Sequence, residues 1–225
     1  MLETAAGARA ASRPPGPATG AHPSPNHRAR EPAHPPVTTR PTPGRRRRED
    51  RTVPEQGERR IVLVRHAKAV PKHVTEDFER ALADRGTHEA PRAGDWLERS
   101  GYAVDLALCS SARRARQTWQ LMLPRLSEPP PTLYQARLYE AEAHDLLSAL
   151  TEASADVTGL VLVGHNPAVH EVALGLCGGG PKKPVRRLRT AFPTSAVAVL
   201  TVRGGWDAVA PGAARLAAFW APGDD

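Results

Sequence analysis

The stretch Ile61-Val62-Leu63-Val64-Arg65-His66-Ala67 decides the architecture. Four consecutive branched aliphatic residues without polar alternation predict a short strand buried on both faces, the usual state of a parallel sheet covered by helices. The apolar run stops at a cation and an imidazole. Ligands of open α/β sheets collect outside the carboxyl ends of the strands, so an Arg-His pair at that point is placed to meet one.

Downstream, the pattern predicts a helix over Glu89–Arg99, with Trp96 and Leu97 toward the core, Pro91 in the first turn and Gly101 as terminator. Val104–Cys109 reads as the next strand, after which Ser110 or Ser111 caps a helix running through Arg114, Thr118 and Met122 to Pro124. Leu146–Leu150 lies on a further helix and Leu160–Val163 is a third central strand. Asn166-Pro167 reads as a cap followed by Pro at the first helical position, and Ser195–Val202 and Arg215–Trp220 read as late strands. This alternation predicts one α/β domain over residues 60–225, with a mostly parallel central sheet flanked by helices.

Residues 1–59 read differently. The chain has 225 residues, 23 Pro and a net charge of +7, and its first 60 residues hold 11 of the Pro and 12 Arg against 6 acidic groups. The pI of 10.1 therefore describes this segment, because the remainder is close to neutral. With nothing to bury and no periodicity it is predicted to be a disordered Arg/Pro-rich tail, and nucleic acid would be engaged only through its basic run Arg45-Arg46-Arg47-Arg48. Cys109 and Cys177 form no CxxC pair, which excludes a zinc ribbon or disulfide framework and fits a reducing, cytoplasmic setting. No apolar run approaches the roughly 20 residues of a spanning helix, so no membrane partner is expected.

Three strand ends or turns carry the same kind of residue: Arg65-His66, Arg113-Arg114 and Gly164-His165-Asn166. Cations and imidazoles converging on one crevice attract an anion, and helix N-termini add unpaired N–H groups and positive dipole ends. A phosphoryl group is the natural occupant. The nine histidines offer no HExxH or comparable ligand spacing, since His165 and His170 are five apart and off a common helical face.

Leu63-Val64-Arg65-His66-Ala67 resembles the Arg-His-Gly/Ala motif of the histidine phosphatase superfamily, known also as the phosphoglycerate mutase-like superfamily. Ser110-Ser-Ala-Arg-Arg114-Ala-Arg-Gln117-Thr118 resembles that family's Ser-Pro-x-x-Arg-Ala-x-Gln-Thr helix start, and Val163-Gly-His165-Asn-Pro167 resembles its second histidine motif. Asp77-Phe-Glu-Arg80, Leu82 and Arg85-Gly86 match the segment that follows the first motif in the small SixA-like branch. Ser111 departs from the usual Pro, and Ala67 stands where larger members have Gly.

The resemblance implies that His66 is the nucleophile and that Arg65, Arg114 and His165 clamp the phosphoryl oxygens, with Asn166 as a further substrate-binding residue. Neutral imidazole is a good nucleophile near pH 7, and guanidinium groups present paired donors to phosphoryl oxygens. Neither metal nor other cofactor is implied, since the arginines take the cation's place. The acid that protonates a leaving group falls on Glu140 or Glu142, with Glu140 favoured because it follows Leu138-Tyr139; either reads equally as an exposed carboxylate in a first helical turn. About 50 residues separate Arg114 from His165, which leaves little room for a lid and implies an open site. The expected activity is a phosphatase acting through a phosphohistidine enzyme intermediate, on phosphohistidine in proteins or on a small phosphomonoester. The rival from another class is a non-enzymatic polyanion-binding protein that works through the basic tail.

Overall fold

The computed structural model describes residues 57–224. Seven strands, β1 (Glu58–Arg65), β2 (Leu106–Ser110), β3 (Thr132–Gln135), β4 (Gly159–Gly164), β5 (Cys177–Gly179), β6 (Val197–Arg203) and β7 (Ala214–Trp220), form one sheet in the order β3-β2-β4-β1-β6-β7-β5. The pairs β1/β4, β2/β4, β2/β3 and β5/β7 are parallel, whereas β6 runs antiparallel to both β1 and β7. Helices α1 (Asp84–Ser100), α2 (Arg113–Met122), α3 (Ala143–Thr151), α4 (Ala168–Leu176) and α5 (Lys182–Thr190) make the connections. The fold is thus the α/β domain expected, with a mostly parallel sheet between helical layers.

The buried run of β1 follows from this layering. Ile61 and Leu63 join Leu146, Leu150, Val169 and Val172 of α3 and α4 in one core. Val62 and Val64 point to the opposite face and pack with Leu97, Trp119 and Met122 of α1 and α2. With a helical layer on each side, every position from Ile61 to Val64 is apolar. No helix among the described residues is long and apolar enough to cross a membrane.

Several boundaries differ from expectation. β1 starts at Glu58, and Glu58 and Arg59 pair with Arg203 and Val202, so the last two residues assigned to the tail belong to the sheet. The rest of that prediction, over 1–56, lies outside the described residues. α1 begins at Asp84 and not Glu89, which puts Pro91 inside the helix. Its N-cap, Ala83, makes no side-chain cap bond, and Asp84–Glu89 is polar, so the sequence carries no start signal there. Gly101 ends α1 with φ 73°, the left-handed C-terminal stop expected of it. Neither serine caps α2, whose N-cap is Ala112. Pro167, joined to Asn166 by a cis bond, takes the N-cap position of α4.

Candidate active site

The sheet register brings the two histidine motifs together. β1 and β4 are adjacent and parallel, with Arg65 opposite Gly164, so the next residue of each strand, His66 and His165, emerges at the same carboxyl edge. Their rings lie 5.0 Å apart between centroids. β2 flanks β4 on the other side and leads through Ser110 into α2, whose first turn carries Arg114, 6 % exposed. Arg65, His66, Arg114, His165 and Asn166 line one pocket of about 330 Å³.

Hydrogen bonds fix the state of each imidazole. His66 Nδ1 lies 2.8 Å from the carbonyl oxygen of Ala67, which can only accept. Nδ1 therefore carries the proton and Nε2 keeps its lone pair. His165 Nε2 lies 2.8 Å from Ser110 Oγ, and that hydroxyl already accepts the backbone N–H of Ala112 at 3.3 Å. The serine proton is then best satisfied on Nε2, which leaves His165 Nδ1–H as a donor; Nδ1 is buried and has no hydrogen-bond partner. Burial above all, and to a lesser degree the Arg114, Arg65 and Arg80 guanidiniums, lower His66 to about 4, against a raising effect of the Ala67 carbonyl that is second only to burial. Burial, His66 and Arg114 push His165 down to about 3. Both rings are neutral near pH 7.

The residues behind the site hold it in place. Thr118 Oγ1 accepts the Ala67 N–H at 2.9 Å and donates to Arg114 O at 2.6 Å, and Gln117 Oε1 accepts the Leu82 N–H at 2.8 Å. The Gln-Thr pair of α2 thus pins both ends of the segment that follows His66. Gly86 lets α1 approach that segment, because a Cβ there would lie 2.1 Å from the Lys68 carbonyl oxygen. Ser195, buried at φ 66°, donates its N–H to His66 O at 3.3 Å and its hydroxyl to Glu89 Oε2 at 3.1 Å.

Five further residues enter the site. Arg114 donates to Asp77 twice, from Nη1 to the backbone oxygen at 2.6 Å and from Nη2 to Oδ2 at 3.0 Å. Arg80 Nη1 donates to Asp77 Oδ1 at 2.7 Å, and Tyr139 Oη donates to Oδ2 at 2.7 Å. The Tyr139 hydrogen bond, with Arg80 and Arg114, holds the Asp77 carboxyl far below the usual carboxylate range. Asp77 and Arg80 were visible in the matched motif, where an acid and a base three apart also read as an ordinary surface pair. Lys68 and Lys72 line the pocket too, so five cations surround it against one carboxylate. Arg65 Nε, Arg114 Nε and His165 Nδ1 are buried donors without partners. Three orphan donors around a cationic pocket describe a seat for an oxyanion.

One expected residue falls elsewhere, and another has a structural bond of its own. Glu140 is exposed and does not line the pocket; Tyr139 turns its ring toward His165, at 5.8 Å between centroids, and the next side chain faces away. Asn166 lines the pocket, but its Nδ2 donates to Phe192 O at 3.0 Å, the same carbonyl that Arg65 Nη1 reaches at 2.8 Å. That bond uses one of the two Nδ2 protons, so Asn166 braces the Arg65 wall and keeps a second N–H beside the pocket.

Comparison with known proteins agrees with this geometry. The family profile "Histidine phosphatase superfamily (branch 1)" matches residues 61–146. An uncharacterized protein of Mycobacterium leprae is 38% identical over 165 residues, covering 71% of this chain and 99% of that protein. A structure from Nakamurella multipartitia named for the phosphohistidine phosphatase SixA superposes with TM-score 0.65 at 30% identity, covering 74% of this chain and 98% of that one. Its counterpart from Agrobacterium tumefaciens gives TM-score 0.61 at 32% identity, over 73% and 98% of the two chains.

Proposed function

We propose, from the premise that the chain belongs to the histidine phosphatase superfamily and its SixA-like branch, that it is a phosphatase acting on phosphohistidine in proteins. Phosphoryl transfer asks little of a protein beyond position and charge, and the pocket offers both. In this reading His66 Nε2 attacks phosphorus and the P–N bond to the substrate imidazole breaks. Arg65, Arg114 and His165 Nδ1–H hold the oxygens throughout. Water then attacks the phosphoryl group on His66, releasing phosphate and the free imidazole. The arginines supply the charge that a metal ion supplies elsewhere.

One observation carries the choice of substrate: the carboxylate that lines the pocket, Asp77, is held ionised by Tyr139, Arg80 and Arg114. An ionised group cannot give a proton to a leaving alkoxide, whose conjugate acid is about as weak as water with a pKa of roughly 16. An imidazole leaving group is less demanding, since its reference pKa of about 6.5 lets the ring take a proton from solvent before it departs. A cytoplasmic location belongs to the same proposal, supported by the free thiols of Cys109 and Cys177. So does the assignment of catalysis to residues 60–225.

Initial rates on a phosphohistidine peptide, an aryl phosphate and an alkyl phosphate test this reading. kcat/KM on phosphohistidine should exceed that on the alkyl ester by at least about 10²-fold, the low end of what a general acid contributes. Equal or better turnover of the alkyl ester would favour a small-molecule phosphomonoesterase instead.

A further inference from the structure

The strongest charge feature outside the pocket is α5, Lys182-Lys-Pro-Val-Arg-Arg-Leu-Arg-Thr190, which carries five cations and no acid. Arg187 is engaged, pairing with Asp224 at 2.5 Å and lying over the Phe219 ring at 5.4 Å. Lys182, Lys183, Arg186 and Arg189 are exposed and make no ion pair among the described residues. Two of them sit in the first turn, where the helix dipole opposes positive charge. No ion pair among the described residues offsets that arrangement.

The helix borders two hollows that share lining residues, and the second reaches the segment that runs on into the wall of the catalytic pocket. One hollow of about 490 Å³ lies between Lys183, Arg187, Phe219 and the stacked pair Trp96 and Trp220, whose centroids are 6.3 Å apart. A second, of about 260 Å³, shares Arg187 and Phe219 with the first and continues past Arg186 and Thr190 to Pro193. The next residue, Thr194, lines the catalytic pocket. Phe192, between α5 and Thr194, holds Arg65 through its carbonyl oxygen.

We propose that these hollows dock an acidic segment of the phosphoprotein substrate, its carboxylates on Lys182, Lys183, Arg186 and Arg189 and its apolar side chains against Phe219 and Trp96, while the phosphohistidine enters the pocket. The inference rests on the phosphatase reading and names what its substrate carries beside the phosphoryl group. Charge selects an acidic occupant and excludes the chain's own arginine-rich N-terminal segment.

The test compares two synthetic phosphohistidine peptides, one flanked by a run of glutamates and one by serine and glycine, on the wild-type protein and on the double variant Lys183→Glu/Arg186→Glu. Both positions are exposed, and Glu in the first turn suits the helix dipole, so the variant should fold as the parent does. The wild type should show a KM about tenfold lower for the acidic peptide, with equal kcat, and this advantage should vanish in the variant and at high salt. Hydrolysis of p-nitrophenyl phosphate should be the same in both proteins. Binding of the unphosphorylated glutamate peptide, read by the fluorescence of Trp96 and Trp220, should be lost in the variant whether or not either protein turns over, which separates this claim from the phosphatase reading. Equal KM values for both peptides in the wild type, an acidic preference surviving in the variant, or hollows that take single-stranded DNA in preference to the glutamate peptide would each overturn it.

Discussion

Asp77 Oδ2 lies 3.0 Å from Arg114 Nη2, so a carboxylate already occupies part of the guanidinium that the phosphoryl group needs. Tyr139 and Arg80 keep that carboxylate in place from the other side. A charge so close to an anion site both orients the arginine and repels the bound dianion. Replacing it by the isosteric amide keeps an acceptor for Tyr139 and removes the repulsion. Asp77→Asn should bind inorganic phosphate more tightly, by roughly tenfold to twentyfold, the effect of one charge at about 5 Å from a dianion with a dielectric near that of water. Product-inhibition constants measure this; unchanged or weaker inhibition would mean that Asp77 acts as a scaffold alone.

The nucleophile should titrate low. With His66 at about 4 in the folded protein against 6.5 for the free side chain, the native state binds fewer protons than the unfolded chain between those values. Stability is therefore full above pH 6.5 and falls as pH drops toward 4, by up to about 3 kcal/mol from this group at about 1.36 kcal/mol per pKa unit. NMR titration of His66 should give a midpoint well below 6.5 that rises on addition of phosphate, because the dianion favours the imidazolium. A midpoint at the ordinary value would remove the argument for a neutral nucleophile in acid.

Ser110 should act on His165 through its hydroxyl. In Ser110→Ala the ring loses the partner that fixes its tautomer and orientation, an effect that for outer partners of imidazole ligands is worth about 10–100-fold. kcat should fall in that range with KM changed much less, and Ser110→Thr should restore part of it. A pure KM effect, or no effect, would contradict the role.

Much of this was legible because the pocket's histidines sit where strands stop. A buried apolar run that ends at Arg65-His66, and another that ends at Gly164-His165, announce the strand, its direction and the residue at its carboxyl end together. The later parts were less visible for physical reasons. β3 is a four-residue edge strand after three prolines, with Leu133 and Tyr134 both exposed, so burial writes no alternation into it. α5 buries only Leu188, too little for a helical stripe to show. Glu140 was chosen by position after Leu138-Tyr139, and a single step along the chain decides whether a side chain faces the pocket or the solvent. Ser110 was assigned to a cap because cap and ligand orienter use the same hydroxyl.

Glu140→Gln follows from that correction. With its carboxylate exposed and outside the pocket, the amide should leave kcat/KM within about twofold of the parent on both phosphohistidine and aryl phosphate, since removing a true general acid costs about 10²-fold or more. A selective loss on the aryl ester would restore Glu140 as the acid.

The central claim is that the phosphoryl group passes through His66 Nε2. Rapid quench of the protein with labelled substrate, followed by peptide mapping, tests it most directly. The account predicts a phosphoryl adduct, labile in acid and stable in base, on the peptide that contains His66, with neither adduct nor turnover in a folded His66→Ala variant. Steady turnover without such an adduct, or an adduct on another residue, would contradict it.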